Sequence, residues 1–139
     1  MSSKVALILD SISVPGSGGQ GASEGKLELR VSAKAGGRTV NWPNLHGSEQ
    51  LSVGGAAQHI GLQIESFEIR SGSLSKTVTF EVTEVDKGLN GQDDTGTGSL
   101  VFDLTPGMKS TTKSNTVKLF RPNGQQKGKV DVKIRAEAL

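Results

Sequence analysis

Cysteine is absent from the chain, so disulfides and thiolate metal sites are excluded. Tyrosine is absent as well, and one tryptophan (Trp42) and four phenylalanines make up the aromatic complement. The most basic stretch carries a single ring, Phe120, too few for a stacking platform on single-stranded nucleic acid. No apolar run approaches the ~20 residues of a membrane-spanning helix. The opening MSSKVALILDSI has one lysine and a short apolar run closed by Asp10, without the long apolar segment and clear cleavage site of a secretory signal. The location expected from this is the cytoplasm, or outside the cell by a route that needs no cleaved signal peptide. Also missing are the long runs of Leu, Ala, Glu and Lys that a helical bundle requires.

Catalytic patterns are lacking too. His46 and His59 lie in or beside expected loops, with no spacing to Cys, His or carboxylates that would hold zinc. Gly16-Ser17-Gly18-Gly19-Gln20-Gly21 has the glycines of a phosphate loop, but neither the helix such a loop must open nor its lysine. Gly21-Ala22-Ser23-Glu24-Gly25 has the G-x-S-x-G spacing, but it falls in an expected loop with no strand-to-helix turn to present the serine as a nucleophile. Trp42-Pro43-Asn44 is either a ligand platform or, as is commoner for a lone tryptophan, a plug in the core. The expectation is a chain that is not an enzyme, with no small-molecule substrate and no nucleic-acid partner.

What the chain does have is glycine, 19 in 139 residues, and an apolar period of two. Val130, Val132, Ile134 and Ala136 alternate with Lys129, Asp131, Lys133 and Arg135; Leu27, Leu29 and Val31 alternate with Lys26, Glu28 and Arg30; Val78, Phe80 and Val82 alternate with Thr77, Thr79 and Glu81. Each segment has one dry and one wet face, the mark of an antiparallel sheet over a core. Val5 to Leu9 is apolar on both sides and reads as an interior strand. In Leu62 to Ile69 the phase shifts, which a bulge near Ser66 would produce. Strands are expected at 4–12, 26–33, 37–42, 61–70, 76–85, 98–104, 116–121 and 128–138, with loops at Val14–Gly25 and His46–His59. Arg121-Pro122-Asn123-Gly124 is a strong turn signal. Together these predict one all-β domain over residues 1–139, an eight-stranded antiparallel β-sandwich.

Charge is uneven along the chain. Residues 109–139 hold eight basic residues against Asp131 and Glu137, a net of +6, whereas residues 1–108 hold eight basic and twelve acidic residues, a net of −4. Lys118, Arg121, Lys127, Lys129, Lys133 and Arg135 are therefore candidates for an anion- or partner-binding face. The plainer reading makes them the wet faces of the last strands.

The acids concentrate elsewhere. Following the inward parity of Val78, Phe80 and Val82 leads to Glu84 and Asp86, so the dry face ends in two carboxylates on one side. Asp93 and Asp94 follow after a short loop. Clustered carboxylates repel unless a cation neutralises them, and calcium takes six to eight oxygens, which carboxylates and loop carbonyls can supply. The alternative is a solvated loop whose acids keep strand ends soluble.

This stretch, Val82-Thr83-Glu84-Val85-Asp86 and then Asp93-Asp94-Thr95-Gly96, resembles the third calcium-binding loop of C2 domains, the β-sandwiches of protein kinase C and synaptotagmin. The long loop before the Leu27–Val31 strand and the closing Gly128–Ile134 strand also resemble that family's layout. Glu84 stands where the family has Asp. The first loop, with two aspartates in the family, reads Ala22-Ser23-Glu24-Gly25-Lys26, where only Glu24 could serve. The resemblance implies a C2-like, non-catalytic binding module. In it Glu84, Asp86, Asp93, Asp94 and Glu24 hold Ca2+, and the loaded loops meet an anionic membrane surface or a protein partner. A second reading, from the Gly-rich loops at 13–25 and 44–60 and the edge strands, is a self-assembling structural subunit of a phage, a contractile-injection particle or a shell.

Overall fold

A computed structural model describes residues 3–16, 26–85 and 93–139. It contains nine strands: β1 (Ser3–Ser13), β2 (Lys26–Ala35), β3 (Arg38–Trp42), β4 (Glu49–Ser52), β5 (Gln58–Ile69), β6 (Leu74–Glu84), β7 (Asp94–Leu104), β8 (Thr111–Phe120) and β9 (Gln126–Ala138). The hydrogen-bonded order is β3-β2-β6-β7-β8-β9-β1-β5, with β4 also on β2, and all these pairings are antiparallel. The β7–β8 ladder has one residue pair, Thr95 with Phe120. That seam divides the sheet into two layers, β3-β2-β6-β7 and β8-β9-β1-β5, and the fold is an all-β sandwich.

The alternating residues fill it as their period requires. Leu29, Val31 and Ala33 of β2, Val78 and Val82 of β6, Val130, Val132 and Ile134 of β9, and Leu7 and Leu9 of β1 are all fully buried. Each such aliphatic side chain contributes about 1.5–3 kcal/mol on leaving water. β1 lies between β9 and β5, and its outward-facing Ala6 and Ile8 are buried as well, as its two-sided apolar sequence requires. Trp42 is half-buried against the core opposite Val31, which fits the plug reading.

Three details differ from the sequence expectation. The His46–His59 stretch is not one loop: β4 pairs with β2 there and buries Leu51, a strand of four residues too short to show a period. In β5 the phase shift falls at Ile64 rather than Ser66, because Leu7 pairs Glu65 while Ile8 pairs Gln63. Glu65 thus shares the inner side with Phe67, and an edge strand tolerates that where a central one would not. Finally, β7 begins at Asp94 and β8 at Thr111, each four or five residues earlier than expected. The causes are Gly96 and Gly98 in the first and the inward polar residues Lys113 and Asn115 in the second.

These exceptions shape the corner. Gly96 lies so close to β8 that a Cβ there would stand 2.0 Å from the Lys118 carbonyl oxygen, and one on Gly98 would stand 2.6 Å from the Phe80 ring. Where the ladder stops, side chains take over: Lys113 Nζ donates to the Val101 carbonyl (2.6 Å) and Asn115 Nδ2 to the Ser99 carbonyl (3.3 Å). Lys113 also lies 5.2 Å from the centroid of the Phe102 ring. The Val101 and Ser99 carbonyls of β7 are thereby satisfied by side chains in place of a ladder.

Candidate functional site

The acidic end forms where β6 and β7 run out. Glu84 is the register partner of Leu29 on one side and of Asp94 on the other, so both acids continue the inner face, half-buried, with Asp93 immediately before. Just beyond, the Val85 N–H donates to the Glu28 carbonyl (2.8 Å), which holds β6 against β2 to its last residue. Asp86 and Glu24 lie outside the described residues. Among the described residues, no group of three or more His, Cys, Asp or Glu is placed to hold a metal ion. Glu84, Asp93 and Asp94 alone therefore do not make up a calcium ligand set. His46 and His59 are both exposed, His46 in the β3–β4 connection and His59 in β5.

The basic residues form a second surface. Lys127, Lys129, Lys133 and Arg135 occupy odd positions of β9, opposite in parity to the buried Val130, Val132 and Ile134, so they share the outer face. Lys118 of β8 faces that way too, in register with Lys129. Arg121 opens the β8–β9 turn, where its N–H donates to the Gln125 carbonyl (2.9 Å) and its carbonyl accepts from Gly124 (2.8 Å). Positive φ at Gly124 (90°) closes that turn without strain.

Two acids interrupt the face. Asp131 accepts a hydrogen bond from the Thr116 hydroxyl (2.6 Å), and Glu137 lies 3.7 Å from the Arg135 guanidinium. Arg135 also pairs with Asp10, a residue that a register irregularity between Leu9 and Ser11 sets out of the ladder. With side chains 25% and 19% exposed, this pair is a partly buried structural tie. Arg135 therefore differs from Lys118 and Lys133, which are exposed, while Lys127 and Lys129 are half-buried. Sequence reasoning grouped it with them because parity reveals a face but not a partner 125 residues away.

Among solved structures, the chain is similar to the first C2 domain, domain A, of plant extended synaptotagmin 1. The alignment covers 98% of this chain and 93% of that one, at 15% identity and a TM-score of 0.40. That domain is a member of the family the acidic motif resembles. No protein-family model and no curated protein sequence matches the chain.

Proposed function

We propose that this chain is a C2-like binding module without catalysis, and that the outer face of β8–β9 docks it on an anionic membrane surface. The observation that carries the reading is the common orientation of Lys118, Lys127, Lys129 and Lys133, with Arg121 at the adjoining turn. Each basic residue close to an acidic leaflet contributes about 1 kcal/mol, so these five supply roughly 5 kcal/mol at most, less what Asp131 offsets. Attraction of that kind is screened by salt. The test is co-sedimentation with phosphatidylcholine vesicles, with and without phosphatidylserine. Wild type is expected in the acidic pellet at low salt only, and the triple charge reversal Lys127→Glu, Lys129→Glu, Lys133→Glu in neither. Equal partitioning onto neutral vesicles ends the reading. Rings or filaments in light scattering would move it to a structural subunit of a larger assembly.

Calcium dependence is the finer part of this proposal. It is supported by the register pairing of Glu84 with Asp94 on one face, beside Asp93, and it requires Asp86, with Glu24 as a further donor. Thermal melting with calcium chloride checks it on wild type and Asp86→Ala. Wild type alone should gain stability, because an ion that binds only the folded state raises the melting temperature. If calcium shifts neither protein, docking is calcium-independent.

A further inference from the structure

Beside the β7–β8 seam, on the outer face, lies an open cleft of about 490 Å³ lined by Thr95, Gly96, Thr97, Thr116, Lys118 and Phe120. Its existence follows from the seam itself. With a single ladder pair, Thr95 and Phe120, the two layers part, and the side chains beyond that pair line a trough instead of a continuous surface. Gly96 keeps the two backbones in contact at its floor. The volume is in the range of small-ligand sites.

The chemistry of the lining is specific. It holds one ammonium, three hydroxyls, one aromatic ring and no carboxylate. Lys118 has no hydrogen-bond or ion-pair partner among the described residues, and neither do the hydroxyls of Thr95 and Thr97. Thr116 differs: its proton goes to Asp131, so toward the cleft its oxygen can only accept. Phe120 is 40% exposed, uncommon for the largest apolar side chain on a polar face. An oxyanion set between Lys118 and the two donor hydroxyls would pair with the ammonium and accept from both hydroxyls.

We propose that this cleft binds a sulfate or phosphate monoester carried on a sugar ring. Lys118 and the hydroxyls of Thr95 and Thr97 take the oxyanion; Thr116 accepts from a ring hydroxyl; Phe120 covers the apolar face of the ring. Hydroxyl groups that both donate and accept match a sugar better than an apolar protein surface, whose interface core would call for more than one large apolar residue here. The inference rests on the anionic docking reading and names a ligand class for the same face.

The test is a ¹H–¹⁵N NMR titration of the full chain with glucose 6-phosphate, with glucose and inorganic phosphate as controls. Shifts are expected at Thr95–Thr97 and Thr116–Phe120 with the ester, not with glucose, and weaker with phosphate. Lys118→Gln should lower the affinity about tenfold, as loss of a hydrogen bond to a charged group does. Lys133→Gln, outside the cleft, should leave it unchanged while weakening binding to acidic vesicles. A sulfated oligosaccharide that binds more tightly than the monosaccharide assigns the ester to a glycan, and equal affinity assigns it to a free sugar. Shifts spread over the whole basic face, or phosphate equal to the ester, would overturn the proposal. If vesicle binding fails while the ester binds, the membrane reading alone falls.

Discussion

Replacing Gly96 with alanine tests the corner most directly. The added Cβ would meet the Lys118 carbonyl oxygen at 2.0 Å, Val117 Cγ1 at 2.8 Å and the Lys118 carbonyl carbon at 2.9 Å, whereas ordinary contact begins near 3.4 Å. Two of these atoms are backbone, so no rotamer change relieves the clash and one strand must move. Doing so breaks the Thr95–Phe120 pair, the one ladder rung across the seam. Overpacking of this kind costs about 3 kcal/mol, against a gain of roughly 0.4–1 kcal/mol from a stiffer unfolded chain. At roughly 4 °C per kcal/mol for a chain of this length, the net loss should lower the melting temperature by about 10 °C. Gly98→Ala meets side-chain atoms instead, Phe80 Cε2 at 2.6 Å and Asn115 Oδ1 at 2.9 Å, and should cost about half as much. Gly37→Ala meets nothing within 4 Å and should melt with wild type or slightly above it. Calorimetric melts of the three variants decide the matter. A Gly96→Ala protein as stable as Gly37→Ala would refute the close approach of β7 and β8.

Other perturbations probe the core and the ion pair. Ile134→Ala empties a fully buried position between Lys113 of β8 and Leu9 of β1 and should cost about 3–4 kcal/mol in urea unfolding; a loss under 1 kcal/mol would mean the layers collapse around it. A double-mutant cycle on Asp10→Asn and Arg135→Gln should give a coupling of about 1 kcal/mol, since both side chains are mostly buried; zero coupling would reduce the pair to a surface contact. Lys113→Met keeps the stem over Phe102 but withdraws the donor from the Val101 carbonyl, so hydrogen exchange should quicken along the β7 edge while the core stays protected.

Most of the fold was legible because burial on one face imposes a period of two, which β2, β6 and β9 obey, while β1, buried on both faces, was legible as a continuous apolar run. What sequence reasoning missed lies where that rule is suspended. The Thr95–Gly98 run looked like loop because glycine and threonine leave no apolar signal; it is strand because only glycine fits the inner positions there. The start of β8 was hidden by Lys113 and Asn115, polar residues at the inward parity, where they donate to the Val101 and Ser99 carbonyls of β7. β4 has one buried residue and therefore no period to read. Parity carried Glu84 onto the inner face, but its companion in that reading, Asp86, lies outside the described residues, and it is the β6–β7 register that sets Asp94 beside Glu84; parity also put the lysines of β9 on one face. It could not reveal the cleft, whose walls come from two strands in different layers. Nor could it single out Arg135, whose carboxylate partner comes from the opposite end of the chain.

The position of β1 has a consequence for how the chain is made. β1 is flanked by β5 and by β9, and the Leu139 N–H closes that seam on the Lys4 carbonyl (2.9 Å). During synthesis β5 can reach β1 early, but β9 is the last of these strands to leave the ribosome. Until it does, a strand that is wholly apolar from Val5 to Leu9 carries one unsatisfied edge, and the layer that it anchors has no middle. Folding of that layer is necessarily a late, long-range event, of the slow kind that high contact order imposes. For that interval the nascent chain's solubility depends on whatever shields residues 5–9.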